Sequence, residues 1–176
     1  MSDQRQLTAD IVEYSATRLE DSVLQINKCL NLLSVEQIWH RPNEVSNAIG
    51  NLVIHLNGNL RQWILTSLDG LPDDRDRPAE FAQQGPLPTN DIINQLQETV
   101  RKTCEVIRGL SSEQLLAHVT VQGYDVSGTA AVIHVVEHFS LHTGQIVYAT
   151  KILSGQDLSL YDAQGQRVDG RAQGTP

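Results

Sequence analysis

Hydrophobic residues recur every three or four positions along four long stretches of the chain, which is the spacing of one face of an α-helix. The pattern predicts helices at about residues 8–33, 46–68, 89–108 and 129–153. Glycine or serine follows each stretch within two positions, as is common at helix ends. We therefore predict an all-α fold, a four-helix bundle in which ligand sites form where side chains of facing helices converge.

The segments between these helices differ in length and character. Residues 71–88, between the second and third helices, are charged and proline-rich, which is typical of a surface loop or lid. Residues 34–39 predict one helical turn, residues 111–116 a short capped helix, and residues 118–128 an extended segment or small hairpin. We expect residues 1–155 to form the bundle and residues 156–176 a polar, partly disordered tail, in which residues 158–162 are able to dock.

Composition narrows the range of partners. The chain of 176 residues has a formal net charge of −8, which argues against binding to nucleic acid or to an anionic membrane surface. No apolar run approaches the roughly 18 residues of a membrane span, and the polar N-terminal residues lack the core of a signal peptide. We expect a cytoplasmic protein, in which Cys29 and Cys104 are ordinary buried thiols.

Histidines are concentrated in the last predicted helix, where His134, His138 and His142 recur every fourth residue. Steps of four residues turn a helix by about 400°, so the three rings share one face. Neighbours four residues apart lie about 6 Å apart along the axis and can hold one metal ion, whereas His134 and His142 are separated by about 12 Å of rise. We therefore predict that one adjacent pair binds a metal ion and that the third histidine has another role.

A third ligand is needed, because catalytic zinc sites typically use three protein ligands and leave a position open. His55, in the middle of the second helix, is the best candidate, since Asn51 and Asn59 flank it at four-residue steps. A row of three polar residues on a core helix indicates a polar cavity. The alternative is structural: His55 is then a hydrogen-bonded core residue, and the other histidines form a pH-sensitive face or a helix contact.

Two segments together resemble the DinB/YfiT-like superfamily of metalloenzymes. The first contains His55 within the second helix, and the second contains His138-x-x-x-His142 followed closely by Gly144 and Gln145. The resemblance covers roughly residues 5–155. It implies a DinB-like four-helix bundle, often dimeric, with a long connection between helices 2 and 3. By position, it implies that His55, His138 and His142 hold zinc or nickel. His134, Asn51 and Asn59 would then line the pocket or support the ligands.

The same resemblance suggests an activity. Members with assigned reactions include S-transferases and isomerases that use low-molecular-weight thiols such as bacillithiol, mycothiol or glutathione. It therefore implies a metal-dependent transferase, forming a homodimer, that acts on a small molecule with such a thiol as cosubstrate. A metal-dependent hydrolase is a second enzyme hypothesis, although the sequence identifies no general base. The alternative from another class is a non-catalytic, stress-related or interaction protein, with a structural metal site or none.

Overall fold

The computed structural model describes residues 2–166 and 168. Its helices, in chain order, are α1 (Ser2–Leu32), α2 (Val35–Ile38), α3 (Ile49–Leu60), α4 (Arg77–Ala82), α5 (Thr89–Gly109), α6 (Ser112–Leu116) and α7 (Gly128–Ser154). A π-helical stretch, Arg61–Thr66, continues α3, and the strands β1 (His118–Val121) and β2 (Tyr124–Ser127) precede α7. The long helices α1, α3, α5 and α7 form the bundle, so the predicted all-α fold is confirmed.

The helices pack around one apolar core. Helix α1 lies against α5 and α7, and α3 packs on the same two helices from the other side. The largest fully buried side chains come from all four, among them Leu19, Leu56, Ile107 and Phe139. Helix α3 differs from the others because it is buried almost all round. Its buried residues include four polar ones: Asn51, His55, Asn57 and Asn59. Those side chains need partners inside the protein.

The predicted boundaries agree with the structure to within one residue for α5 and α7 and differ from it for α1 and α3. Helix α1 starts at Ser2, six residues before the apolar pattern begins at residue 8, because polar helix-forming residues extend it into solvent. Helix α3 starts at Ile49 and not at residue 46. There, the side-chain oxygen of Asn51 accepts a hydrogen bond from the Ala48 N–H at 3.2 Å, which satisfies one of the free donors at the helix start.

The short elements also follow the sequence pattern. Ser34 and Ser111 each cap a short helix, α2 and α6, through a reciprocal capping box. Strands β1 and β2 pair antiparallel, and the turn between them is formed by Gln122 and Gly123, both at positive φ. The Ser127 side chain then caps α7 by accepting a hydrogen bond from Ala130 N. The hairpin therefore delivers the chain directly into the long histidine-bearing helix.

The connection at residues 71–88 is more ordered than the surface loop that its composition suggests. It contains α4, which Asp76 caps by accepting a hydrogen bond from Ala79 N and which has proline in its first turn. A helix of six residues is too short to show a periodic pattern, so the sequence did not reveal it. This part of the chain lies against α3. It supplies partners for two of the polar residues that α3 buries, Asn51 and His55.

The chain after α7 returns to the bundle. Leu158 is buried in the core and Leu160 is partly buried against it. Residues 167 and 169–176, where much of the expected disordered tail falls, lie outside the described residues, so that expectation stays a prediction. None of the described helices combines the length and the apolar character needed to cross a membrane.

Candidate metal centre

Three histidines from two helices converge where α3 faces α7. They are His55, His138 and His142, and one ring nitrogen from each lies within 4.8 Å of the other two. The ring centroids are separated by 4.5 Å between His138 and His142, 4.9 Å between His55 and His138, and 5.2 Å between His55 and His142. The rings meet edge to face. Within the part of the chain that the structure describes, these three side chains are the ones whose ligand atoms converge closely enough to hold one metal ion.

A buried carboxylate fixes the orientation of His55. Glu80 Oε2, from α4, lies 2.8 Å from His55 Nδ1. Burial raises the pKa of Glu80, but hydrogen bonds from His55 and Arg75 outweigh it and hold that pKa below the ordinary 4.5. The ionised carboxylate can only accept, so Nδ1 must carry the proton. The lone pair of His55 is then on Nε2, which faces the other two histidines.

Arg75 holds Glu80 in place from the other side. Its Nε and Nη2 atoms donate to the two carboxylate oxygens at 2.7 and 3.0 Å, a bidentate geometry. The Arg75 side chain is 4% exposed and that of Glu80 is 7% exposed. Arg75 Nη2 also lies 3.2 Å from His55 Nδ1, but both atoms carry protons, so this contact is not a hydrogen bond. The pair fits against α3 because Gly58 has no side chain: a Cβ there would overlap Glu80 Oε1.

His142 is oriented from its own helix. Its Nδ1 lies 2.7 Å from Gln145 Oε1, one turn further along α7. The amide oxygen accepts the Nδ1 proton, which leaves Nε2 as the free donor atom of this ring. Gln145 is exposed to solvent, unlike Glu80. Two of the three histidines therefore have a partner that sets the tautomer needed for metal binding.

His138 lies between these two rings. Its Nε2 is 2.9 Å from His55 Nε2, and because His55 Nε2 is unprotonated, His138 donates this hydrogen bond. Burial, followed by the nearby rings of His142 and His55, lowers the pKa of His138 to about 3. Burial also lowers the pKa of His142, against the opposing effect of the hydrogen bond with Gln145. Protons therefore compete only weakly for the lone pairs of His138 and His142.

The other predicted pocket residues have different positions. His134 stacks on Trp63 at 3.8 Å, and Asn59 Nδ2 lies 3.4 Å from its Nε2. The π-helical stretch that continues α3 carries Trp63, and such stretches are common near functional sites. His134 also lies parallel to His138 at 5.5 Å, so it forms a wall beside the cluster. It does not belong to the group of converging ligand atoms.

Asn51 contacts the connection and not the histidines. Its Nδ2 donates to the carbonyl oxygens of Glu80 and Gln83 at 2.9 and 2.7 Å. Its Oδ1 accepts from Arg41 Nη2 at 3.0 Å. The predicted row of polar residues on α3 is thus divided: Asn51 holds the backbone of the connection, His55 contacts its carboxylate, and Asn59 supports His134.

The donor set fits a divalent metal ion of the zinc or nickel type. Imidazole nitrogen suits both ions, and three protein ligands match the count of a catalytic site. The hydrogen bonds of His55 to Glu80 and of His142 to Gln145 are those that metal-binding histidines usually make through their second nitrogen. Phe81 covers the His55 ring at 4.7 Å and shields this side of the cluster.

Glu80, Arg75 and Phe81 were not predicted from the sequence. All three belong to a charged connection in which no spacing rule distinguishes an inward-facing residue from a solvated one. Two signals were available: an Asp-x-Pro helix start at residues 76–78 and a glycine inside the polar segment of α3. Neither identifies which carboxylate turns inward.

A family model and several solved structures relate the chain to known proteins. A family model matches residues 6–163 and describes proteins of unknown function, DUF1572. The chain belongs to the DUF1572 family. A search of curated proteins returned no match.

Solved structures with similar folds extend this result. A conserved protein from Enterococcus faecalis superimposes with a TM-score of 0.65 at 17% identity, over 82% of this chain and 97% of that one. A DinB-like protein, YjoA from Bacillus subtilis, gives a TM-score of 0.62 at 18% identity, over 90% and 99% of the two chains. Identities this low establish the fold alone. The DinB-like fold expected from the two histidine segments is confirmed.

Proposed function

We propose that this DUF1572 protein is a divalent-metal-dependent enzyme, of the class of thiol-dependent S-transferases, with His55, His138 and His142 as the metal ligands. The observation that carries the proposal is the convergence of three imidazole rings, one nitrogen of each lying within 4.8 Å of the others. Glu80 and Gln145 hold two of them in the tautomer that presents Nε2. A carboxylate or amide partner on the second ring nitrogen is common for histidines that bind a metal ion.

When bound, a zinc or nickel ion at this site would lower the pKa of a thiol or water molecule in a remaining coordination position. The chain's own residues orient the ligands and shape the space around them. His138 and His142 are half-buried, so the cluster is accessible to a small molecule. Trp63 with His134 forms one wall of that space, and Phe81 covers the opposite ligand, His55.

The remaining assignments belong to the same proposal. A small electrophilic substrate with a low-molecular-weight thiol as cosubstrate suits a site of three imidazole nitrogen donors. The net charge of −8 disfavours nucleic acid and anionic membranes as partners. A cytoplasmic location and a homodimer are consistent with the superfamily resemblance and complete the proposal.

A non-catalytic protein with a structural metal site is the second candidate, and the buried Glu80–Arg75 pair favours it, because heavily supported ligands also suit a site that only holds helices together. The two candidates differ in coordination. A structural site is saturated by protein ligands, whereas a catalytic one keeps an exchangeable position. The count of three histidines in the described residues favours catalysis. A metal-dependent hydrolase would use the same three ligands and would present a bound hydroxide in place of a thiolate.

The test begins with elemental analysis of the purified protein beside a His138→Ala, His142→Ala double variant. We expect about one equivalent of zinc or nickel in the wild type and none in the variant. The loaded protein would then be assayed with glutathione, mycothiol and bacillithiol against a chromogenic electrophile, and with a chromogenic ester for hydrolysis. Equal metal content in the two proteins would refute the site. Specific metal binding without either activity, together with a coordination sphere closed to added thiol, would support the structural role.

A further inference from the structure

The segment of the connection that includes α4, residues 75–83, contributes directly to the histidine cluster. We name it the α4 segment. Glu80, in this segment, bonds His55 of the cluster; the other histidine–carboxylate pair in the described residues, His118 with Asp125, lies outside the cluster. His55 and Glu80 are separated by 25 positions in sequence and lie on different elements. The tautomer of His55 therefore depends on whether the α4 segment is docked on α3.

Docking of this segment depends on a small set of contacts away from the histidines. Asn51 is fully buried and binds two backbone carbonyls of the segment, those of Glu80 and Gln83. Arg41 Nη2 donates to the Phe81 carbonyl at 2.6 Å. Just after the segment, Gly85 at positive φ lies against the ring of Trp39 so closely that a Cβ would overlap it. These contacts hold the backbone, and Glu80 is the side chain that transmits its position to His55.

We propose that docking of the α4 segment and occupancy of the metal site are coupled through Glu80, a positioning residue for His55. This inference rests on the metal site of the proposed function. With the segment docked, Glu80 fixes the proton on Nδ1 and keeps Nε2 free for the ion. With the segment undocked, His55 loses that partner, and its ring is free to rotate and to carry its proton on either nitrogen. The ion then binds a less organised set of ligands.

Coupling of this kind is reciprocal. If docking strengthens metal binding by a given factor, metal binding strengthens docking by the same factor. Partners of metal-bound histidines typically contribute about 10- to 100-fold in affinity. We therefore expect bound zinc to lower the equilibrium constant for opening of the α4 segment about 10- to 100-fold. The amides of Ala79, Glu80 and Gln83 report this opening, because an isolated helix of six residues is too short to keep their hydrogen bonds once it leaves α3.

The experiment uses Zn²⁺ as the probe and Glu80→Gln as the test variant, which keeps the shape of the side chain and removes its charge. Zinc affinity is measured by competition with a chromophoric chelator. Glu98→Gln is the matched control, since Glu98 is an exposed carboxylate on α5. We expect a 10- to 100-fold loss of affinity in Glu80→Gln and no more than a twofold change in Glu98→Gln. Hydrogen exchange of the α4 segment is then compared with and without zinc in each protein.

A readout specific to positioning separates this role from a general loss of stability. Nitrogen-15 NMR of the metal-free proteins should show His55 with its proton on Nδ1 in the wild type and a mixture of tautomers in Glu80→Gln. If that variant does not fold, Arg75→Lys replaces it, because lysine keeps the charge but cannot hold both carboxylate oxygens. It should weaken zinc binding in the same direction.

The outcomes distinguish failure of the inference from failure of the site. If the wild type binds zinc through His138 and His142 but Glu80→Gln binds it within twofold, the coupling is refuted and the metal site stands. The coupling is likewise refuted if zinc leaves exchange of the α4 segment unchanged. If the wild type binds no zinc, the metal site and the coupling both fail. If zinc reduces opening of the α4 segment by the same factor by which Glu80→Gln weakens zinc affinity, the coupling is reciprocal.

Discussion

The Nε2 atoms of His55 and His138 face each other at 2.9 Å across the contact between α3 and α7. Since Glu80 holds the proton of His55 on Nδ1, His138 must supply the hydrogen of this bond from its own Nε2. A ligand to an ion between the two rings needs a lone pair on that atom. His138 is therefore the ligand whose tautomer must change when a metal ion binds.

This predicts a shift of one proton within one ring. In metal-free protein, His138 should carry its proton on Nε2, and after addition of zinc on Nδ1, while His55 keeps its proton on Nδ1 throughout. Long-range nitrogen-15 correlation spectra of histidine-labelled protein distinguish the two forms. His118, exposed on the hairpin, serves as the internal control and should not respond to zinc. A metal-free His138 already protonated on Nδ1 would contradict the geometry.

The helical period was sufficient to place His138 and His142 on one face, because the spacing within a regular helix fixes relative direction. His55 was found by a different signal, its place in a polar row on a core helix. The same row includes Asn51, whose hydrogen bonds join α3 to the backbone of the connection and do not reach the histidines directly. Direction along one helix is read from sequence, but the partner that each polar side chain meets is decided by tertiary packing.

The connection at residues 71–88 shows more clearly what the hydrophobic pattern of the sequence leaves undetermined. It contains several acidic residues, and Glu80 is buried while Asp74 remains exposed. Which carboxylate turns inward depends on the docking of a six-residue helix, on Arg75 as its ion partner and on the space left by Gly58. These are contacts between elements distant in sequence. Periodicity and local motifs carry no information about them.

Gly58 provides a test of that packing. Replacing a helical glycine by alanine ordinarily stabilises a protein by about 0.5–1 kcal/mol. At Gly58 the added methyl group would collide with Glu80 Oε1 and lie 3.0 Å from Arg75 Nε, so we expect Gly58→Ala to lower the free energy of unfolding and to weaken zinc binding.

Gly144 is the matched control for this substitution. It lies within α7, is exposed, and a Cβ there would meet nothing within 4 Å. Gly144→Ala should show the ordinary gain in the free energy of unfolding. Urea denaturation of the wild type and the two variants, in the presence of a chelator, measures the change in the free energy of unfolding at each position. A gain of similar size at the two positions would show that the Glu80–Arg75 pair is not packed against α3.

Asn51 tests the anchoring of the α4 segment. Asn51→Asp preserves the shape and the acceptor for Ala48 N and Arg41, but it replaces the amide donor by a carboxylate oxygen facing two carbonyls. An unsatisfied buried polar group costs about 1–3 kcal/mol, and a buried charge costs more. We expect a loss of at least about 2 kcal/mol in the free energy of unfolding, with faster proteolysis within residues 71–88.

Asn43→Asp serves as the control, because Asn43 is exposed and its side-chain oxygen accepts a hydrogen bond from Val45 N that aspartate can also accept. It should leave both stability and proteolysis nearly unchanged. Equal behaviour of the two variants would mean that the amide of Asn51 does not hold the connection.

The pKa shifts of the cluster predict how stability depends on pH. The pKa of His138 is lowered by burial from 6.5 to about 3, and those of His142 and His134 are lowered by burial in the same direction. Between pH 6.5 and these folded values, the unfolded chain binds more protons than the native protein, so stability falls as the pH falls. The lowered pKa of Glu80 acts only below its ordinary 4.5 and does not contribute in this window.

Metal-free protein should therefore lose stability on acidification from pH 7 to pH 5. For His138 the loss is on the order of 1 kcal/mol, because one pKa unit corresponds to about 1.4 kcal/mol and the half-buried ring keeps part of its hydration. His138→Gln removes this titration and should flatten the dependence measured by urea denaturation with a chelator. His118→Gln, on the exposed hairpin, should leave it as in the wild type. An unchanged slope in His138→Gln would mean that the ring is hydrated and charged within the bundle, and such a ring would be a poor ligand for a metal ion at neutral pH.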